Sequence, residues 1–152
     1  TMAMNEFCGR VIAFEPDPVH YECLVKNCPE DVETHQLAIG NEEKMISLSE
    51  DNFTQAKRVV GDGTIPMVTI DSLDLDDVDL IKIDVEGFEM EVLKGAENTL
   101  KNVDYLMIEL NNNSKKYGSS NLEIEKHLRK TGFEIMIKVW PDVVWRKKGN
   151  SK

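Results

Sequence analysis

Leu80-Ile81-Lys82-Ile83-Asp84-Val85-Glu86-Gly87-Phe88-Glu89-Met90-Glu91-Val92-Leu93-Lys94-Gly95-Ala96 changes its period halfway along. Leu80 to Val85 is a branched apolar run of strand length, and Glu86-Gly87 breaks it. From about Phe88 to Leu100 the positions Phe88, Val92, Leu93, Ala96 and Leu100 fall on one helical stripe, the pattern of a helix packed on a sheet. Tyr105 to Leu110 then reads as the next strand. Strand, helix, strand in this order is a βαβ unit, whose two strands lie parallel.

Working outward, Val11-Ile12-Ala13-Phe14 reads as a strand that ends at Glu15-Pro16, because proline has no N–H to continue the ladder. A helix from Pro18 to Asn27 should follow, with Val19, Cys23 and the stem of Lys26 on its packed side and Cys28-Pro29 closing it. Glu33 to Ile39, Ile46 to Leu48 and Val68 to Ile70 read as further short strands, the last two separated by a polar loop holding Gly61 and Gly63. Downstream, an Asn- and Ser-rich loop leads to a helix from Leu122 to Thr131, with Gly132 suited to its C-cap. Phe133 to Trp140 and Val143 to Lys147 then form an antiparallel pair turned at Pro141-Asp142. The predicted architecture is α/β: one domain over residues 1–152, with a mixed, mostly parallel sheet that ends in an antiparallel pair.

The 152 residues carry 28 Asp and Glu against 18 Lys and Arg, a formal charge of -10. Such a surface repels phosphate backbones, so no nucleic-acid partner is expected. Arg146-Lys147-Lys148 reads as a solubilising, frayed tail. No apolar run approaches the roughly 20 residues of a membrane span, and the N-terminus lacks the basic and apolar regions of a signal peptide. Cys8, Cys23 and Cys28 match neither a Cys-x-x-Cys pair nor a zinc knuckle, which suits reduced thiols in the cytoplasm.

Ligands of open α/β sheets bind beyond the carboxyl ends of the strands. Here those ends are acidic: Glu15 after the first strand, Asp84 and Glu86 after the central one, and Glu109 near the end of the next, followed by Asn111. A carboxylate there can accept from both hydroxyls of a ribose, a role for Glu15. Glu89 and Glu91 read as residues that complement a helix dipole, and Lys82 as a counter-charge for the acidic neighbourhood. No metal site is expected. Asp71 to Asp79 lacks the central Gly and terminal Glu of a calcium loop, and His20, His35 and His127 have no ligand partner at suitable spacing.

Val11 to Pro18, Leu37-Ala38-Ile39-Gly40, Val68-Thr69-Ile70-Asp71, and Asp79 to Glu89 with Val92-Leu93-Lys94-Gly95-Ala96 together resemble the FkbM-type methyltransferases over about residues 10 to 110. The string Lys82-Ile83-Asp84-Val85-Glu86-Gly87-Phe88-Glu89 is the most specific part. The resemblance implies a Rossmann-like fold and S-adenosylmethionine-dependent O-methylation of a small-molecule hydroxyl acceptor, on a sugar or natural product. It implies that Glu15 holds the ribose, that Pro16 flanks the adenine, and that the backbone around Ala38 and Ile39 lines it. Asp84 and Glu86 would face the methionine moiety and the acceptor, with Glu86 the first choice of base, Asp84 the second and Glu109 behind them.

Sheets of that family begin with a central strand and a Gly-rich turn. Only Thr1 to Gly9 lie ahead of the Val11 strand, fewer than the roughly 30 residues of a strand, turn and helix. The first unit is therefore expected to be missing, and residues 1–152 alone are not expected to transfer methyl groups. The vacated sheet edges would close on each other or be filled by another copy in a homo-oligomer. Two other classes stay open: a non-catalytic remnant that binds a partner chain, and a nucleoside or nucleotide-sugar binder that uses Glu15 in the same way.

Overall fold

A computed structural model of the chain describes residues 2–49 and 59–149. Its contacts divide into two compact units, residues 1–68 and 69–152.

The first unit contains α1 (Met2–Asn5), β1 (Ile12–Phe14), α2 (Pro18–Asn27), β2 (Glu33–His35), β3 (Ala38–Ile39), β4 (Lys44–Leu48) and β5 (Val59–Val68). β1 and β2 pair in parallel, with Phe14 opposite His35 and their rings stacked at 5.6 Å. Asp17 starts α2: its Oδ1 accepts from the N–H groups of Val19 and His20, both at 3.0 Å, satisfying two of the helix's open donors. The face of α2 differs from the expected one. Val19 and Cys23 are exposed, while Tyr21 and Leu24 are half-buried and the Tyr21 hydroxyl donates to the Thr34 carbonyl at 3.2 Å. That bond and the Asp17 cap set the rotation of a helix too weakly amphipathic to set its own.

Glu33 to Ile39 is not one strand. Gln36 and Leu37 separate β2, which takes its ladder from β1, from β3, which takes its ladder from β5. β5 lies between β3, parallel to it, and β4, antiparallel to it. The stretch around Gly61 and Gly63, expected to be a loop, belongs to β5, although the register with β4 shifts there and Gly61 has φ +44. At Gly63 a Cβ would collide with the Ser47 side chain and the Ile46 carbonyl, so cross-strand closeness selects glycine at that point. Residues 50–58, the rest of that polar stretch, lie outside the described residues. β5 also ends earlier than read, at Val68, and Ile70 precedes a 3₁₀ turn at Asp71–Leu73.

The second unit contains β6 (Leu80–Ile83), α3 (Glu89–Lys94), β7 (Tyr105–Glu109), α4 (Asn121–Lys130), β8 (Phe133–Val139) and β9 (Asp142–Lys147). Its sheet order is β6-β7-β9-β8, with β6 and β7 parallel and the remaining pairs antiparallel. Across the described residues the strands pair in three sheets rather than one, and the six pairs divide evenly between parallel and antiparallel. Among the described residues β1 pairs only with β2, and β6 only with β7.

The helix expected to reach Leu100 stops at Lys94, and a separate 3₁₀ turn covers Thr99–Lys101. Asp71 explains the restart. Its carboxylate accepts from the N–H groups of Asn98 at 2.9 Å and Thr99 at 2.8 Å and from the Thr99 hydroxyl at 2.8 Å. Burial alone would raise the Asp71 pKa, but these bonds outweigh it and hold the carboxyl below its ordinary value. The acidic stretch thus contains an anchor, not only a solvated turn. The expected stripe still faces inward: Val92, Leu93, Ala96 and Leu100 are buried with Leu106, Ile108, Ile124, Leu128, Phe133 and Trp145. Full burial of each large member contributes about 1.5–3 kcal/mol before chain entropy is counted.

α4 is fixed at both ends. Ser120 and Glu123 cap it reciprocally, and Gly132 leaves it at φ +94. The C-terminal basic cluster is not a frayed tail. Arg146 and Lys147 belong to β9, and the Lys147 ammonium donates to the carbonyls of Leu100 at 2.6 Å and Thr131 at 2.9 Å while lying 4.5 Å from the centre of the Phe133 ring.

Candidate functional site

The carboxyl ends of β6 and β7 bring Asp84, Glu86 and Glu109 into one electrostatic neighbourhood. The chain leaves β6 through Asp84 and Val85 and turns at Glu86, which has φ +53, and Gly87, which has φ +113. The first value is uncommon for a side chain larger than glycine, and the second is open only to glycine in practice. The Asn113 backbone comes so close that a Cβ on Gly87 would lie 2.6 Å from both its carbonyl carbon and its oxygen. The β6–α3 turn is thereby seated directly against the loop that follows β7.

That loop supplies amides. The side-chain NH2 groups of Asn111 and Asn113 both donate to Glu86 Oε2 at 2.9 Å, and the Asn113 N–H donates to Asn111 Oδ1 at 3.1 Å. Asn111 reaches Glu109 more weakly, at 3.4 Å. Asn112 in a left-handed conformation, a 3₁₀ turn at Asn113–Tyr117 and the buried Ser114 shape the loop, and Tyr117 meets Phe88 edge to face at 4.9 Å. Lys82 has the role read for it, its ammonium 2.7 Å from Asp84 Oδ2.

Burial raises the Glu109 pKa, as do the neighbouring charge of Asp84, a hydrogen bond with Asp84 and the charge of Glu86, while the Asn111 amide opposes the rise. Glu89, read as a dipole partner, is instead 2% exposed, and its Oε1 accepts from the Gly87 N–H at 2.7 Å. Burial pushes its carboxyl above the ordinary range, and the charges of Glu86 and Asp84 push the same way. Glu91 is half-buried and ion-pairs with Lys94 at 2.7 Å.

The other sequence-predicted residues lie in the first unit. Glu15 follows β1 and is half-buried. Its N–H donates to the His35 carbonyl at 3.1 Å, and its Oε1 accepts from the Asp17 N–H at 2.9 Å, so the carboxylate is held at the strand end. Pro16 is half-buried beside it. Ala38 is buried and Ile39 half-buried, both in β3 against Met67 and Val68 of β5. Among the described residues no three His, Cys, Asp or Glu side chains are grouped as metal ligands, and no helix is long and apolar enough to cross a membrane.

Asn113 and the buried Glu89 are the parts of this cluster that the sequence reading missed. Asn113 stands in a polar loop run with no periodic signal. Glu89 carried one usable sign, its place two residues after a glycine whose N–H needs an acceptor.

The sequence matches the family described as the methyltransferase FkbM domain over residues 2–135. It is similar to a hexuronic acid methyltransferase, AglP, of the archaeon Haloferax volcanii, with 30% identity over 113 residues that take in 67% of this chain and 47% of that protein. The chain thus spans less than half the length of that curated relative. The crystal structure of methyltransferase FkbM from Methylobacillus flagellatus KT superimposes with a TM-score of 0.62 at 19% identity, covering 90% of this chain and 36% of that one, a likeness of fold. With the match extending over most of the sequence and the acidic strand ends placed as described, the chain belongs to the FkbM methyltransferase domain family.

Proposed function

We propose that this chain is part of an S-adenosylmethionine-dependent O-methyltransferase whose acceptor is a hydroxyl of a uronic acid or similar sugar. Family membership supports methyl transfer, and the printed activity of the Haloferax relative supports the acceptor class. The observation that carries the reading is the carboxylate and amide cluster at the ends of β6 and β7. The donor set suits the cofactor: a carboxylate held at the end of β1 can accept from a ribose diol, and a mostly anionic cluster suits cationic sulfonium and ammonium groups. When bound, the cofactor supplies an electrophilic methyl group.

The protein's own groups then divide the work. Glu15 holds the ribose, with Pro16, Ala38 and Ile39 beside the adenine. Glu86, fixed by Asn111 and Asn113, accepts a hydrogen bond from the acceptor and orients it, since positioning supplies much of the rate. Two amides on one of its oxygens hold Glu86 in place. The acceptor's hydroxyl proton passes to a carboxylate oxygen of Glu109, whose hold on a proton burial and the neighbouring charge of Asp84 strengthen, as the acceptor's oxygen attacks. A cytoplasmic setting accords with the free thiols of Cys8, Cys23 and Cys28.

The test is radiolabelled methyl transfer to glucuronic acid and other hydroxyl acceptors by the full-length protein, with calorimetry against S-adenosylhomocysteine. Glu109→Gln should lower kcat by about 10²–10⁴ with the cofactor affinity kept, and Glu15→Ala should weaken cofactor binding by about 1.5–3 kcal/mol. A full-length protein that binds no S-adenosylhomocysteine, or methylates no hydroxyl, would overturn the reading.

A further inference from the structure

Met136 to Trp140 are five consecutive exposed residues, and they lead to the tip of the β8–β9 hairpin at Pro141. Ile137, Val139 and Trp140 are 48%, 67% and 56% exposed. Large apolar side chains gathered in this way mark a contact surface. Where the tip lies says what it contacts. The Leu110 N–H donates to the Pro141 carbonyl at 2.9 Å, so the tip is tied to the end of β7, directly after Glu109.

Register places these residues on one face of the sheet. Glu109 of β7 stands opposite Asp142 of β9, and Asp142 stands opposite Val139 of β8. Residues directly opposite one another share a face, so Glu109, Asp142 and Val139 form one row across three strands. Ile137, opposite Val144, follows on that face, while the neighbouring Val143 is buried on the other. At about 4.8 Å per strand, Val139 lies about 10 Å from Glu109. That is longer than a single pyranose ring. A lone monosaccharide whose hydroxyl meets Glu109 leaves the tip bare, and the next ring of a longer acceptor reaches it.

The row also has the chemistry such a ring needs. A sugar presents C–H groups on its faces and hydroxyls around its rim. An exposed indole or branched side chain packs against the first, and a carboxylate accepts from the second. Asp142 is half-buried, and among the described residues its carboxylate has no partner. We propose that the β8–β9 tip is a second sugar subsite, an inference that rests on a sugar being the acceptor. It takes the ring next to the methylated one in an oligosaccharide, with Val139 and Trp140 against the ring's C–H face and Asp142 accepting from its hydroxyls.

Acrylamide quenching of tryptophan emission in the full-length protein tests it. Trp140 is exposed and Trp145 wholly buried, and subtracting the emission of Trp140→Phe isolates the tip. Di- to tetrasaccharides of several linkages that end in glucuronic acid should protect Trp140 from the quencher, and glucuronic acid alone should protect it little. Trp140→Ala should raise KM about tenfold for the longer acceptors and less for glucuronic acid. Protection without methyl transfer would support the subsite and count against methyl transfer as the activity, so the two fail separately. Equal protection by glucuronic acid, protection by no saccharide, or an equal change in KM for every acceptor would overturn the proposal. So would protection that grows with protein concentration alone, which would assign the tip to a second copy.

Discussion

Replacing Gly87 by Ala probes the one backbone contact on which the carboxylate and amide cluster depends. Two costs add at this position. An alanine at φ +113 sits outside the conformations open to L side chains, a strain of about 1–3 kcal/mol. Its Cβ would also lie 2.6 Å from the Asn113 carbonyl carbon and oxygen, which are backbone and cannot rotate away, and overpacking of this kind costs about another 1–3 kcal/mol. The expected loss is about 2–6 kcal/mol in urea unfolding. Gly118→Ala is the matched control: its φ of +76 is also left-handed, but no atom lies within 4 Å of the added Cβ, so only a strain of about 1–2 kcal/mol remains. The side-chain amide NMR signals of Asn111 and Asn113 should shift in Gly87→Ala, as their loop is pushed off Glu86, and stay in place in Gly118→Ala. Equal destabilisation of the two variants, within about 0.5 kcal/mol, would refute the seating of the β6–α3 turn on the Asn113 backbone.

Glu89 predicts a pH dependence. Its folded pKa is raised, so the stability linked to its protonated form is fully present below the ordinary carboxylate range and is lost as pH rises through the raised value. Glu89→Gln keeps an acceptor for the Gly87 N–H and removes the charge, so its urea midpoint should gain on the unmodified chain as pH is raised; parallel pH curves would contradict the burial argument. Lys147→Met should leave the Leu100 and Thr131 carbonyls without their ammonium donor and cost about 1–3 kcal/mol, whereas Lys148→Met should cost under about 0.5 kcal/mol. Comparable melting temperatures for both would return the C-terminal basic residues to the role of a solubilising tail.

Elements whose cause is local were legible in the sequence. β7 alternates half-buried and buried residues as its apolar run requires, and α4 carries its own cap at Ser120 and its own exit at Gly132. The elements misjudged are those decided by distant groups. Gly95 caps α3 directly after Lys94, and the new turn that follows belongs to Asp71, 27 residues before Asn98, whose carboxylate accepts from the N–H that starts it. β5 runs through two glycines and a proline, a composition that argues against a strand, and forms because β3 and β4 supply ladders on both sides. α2 packs by another face than its apolar spacing predicts because its apolar residues are too few to outweigh a cap and one tyrosine hydroxyl bond.

The acidic strand ends were visible because strand termini can be read from a run of branched residues. What each carboxylate does there depends on loops that carry no period. Glu86 is marked by the family resemblance, and the structure adds two donors, the amides of Asn111 and Asn113, on one of its oxygens. Glu109 looked the more remote, yet burial and the neighbouring Asp84 raise its affinity for a proton. Amides thus fix one of these carboxyls, and like charge crowds another. Neither influence follows from the spacing of the acids themselves. The same reasoning separates Glu89 from Glu91: two residues apart on one short helix, the first is enclosed with the Gly87 N–H and the second is neutralised by Lys94 at the surface. A glycine whose left-handed turn aims its N–H at a following glutamate is the local feature that distinguishes the buried acid from the ion-paired one.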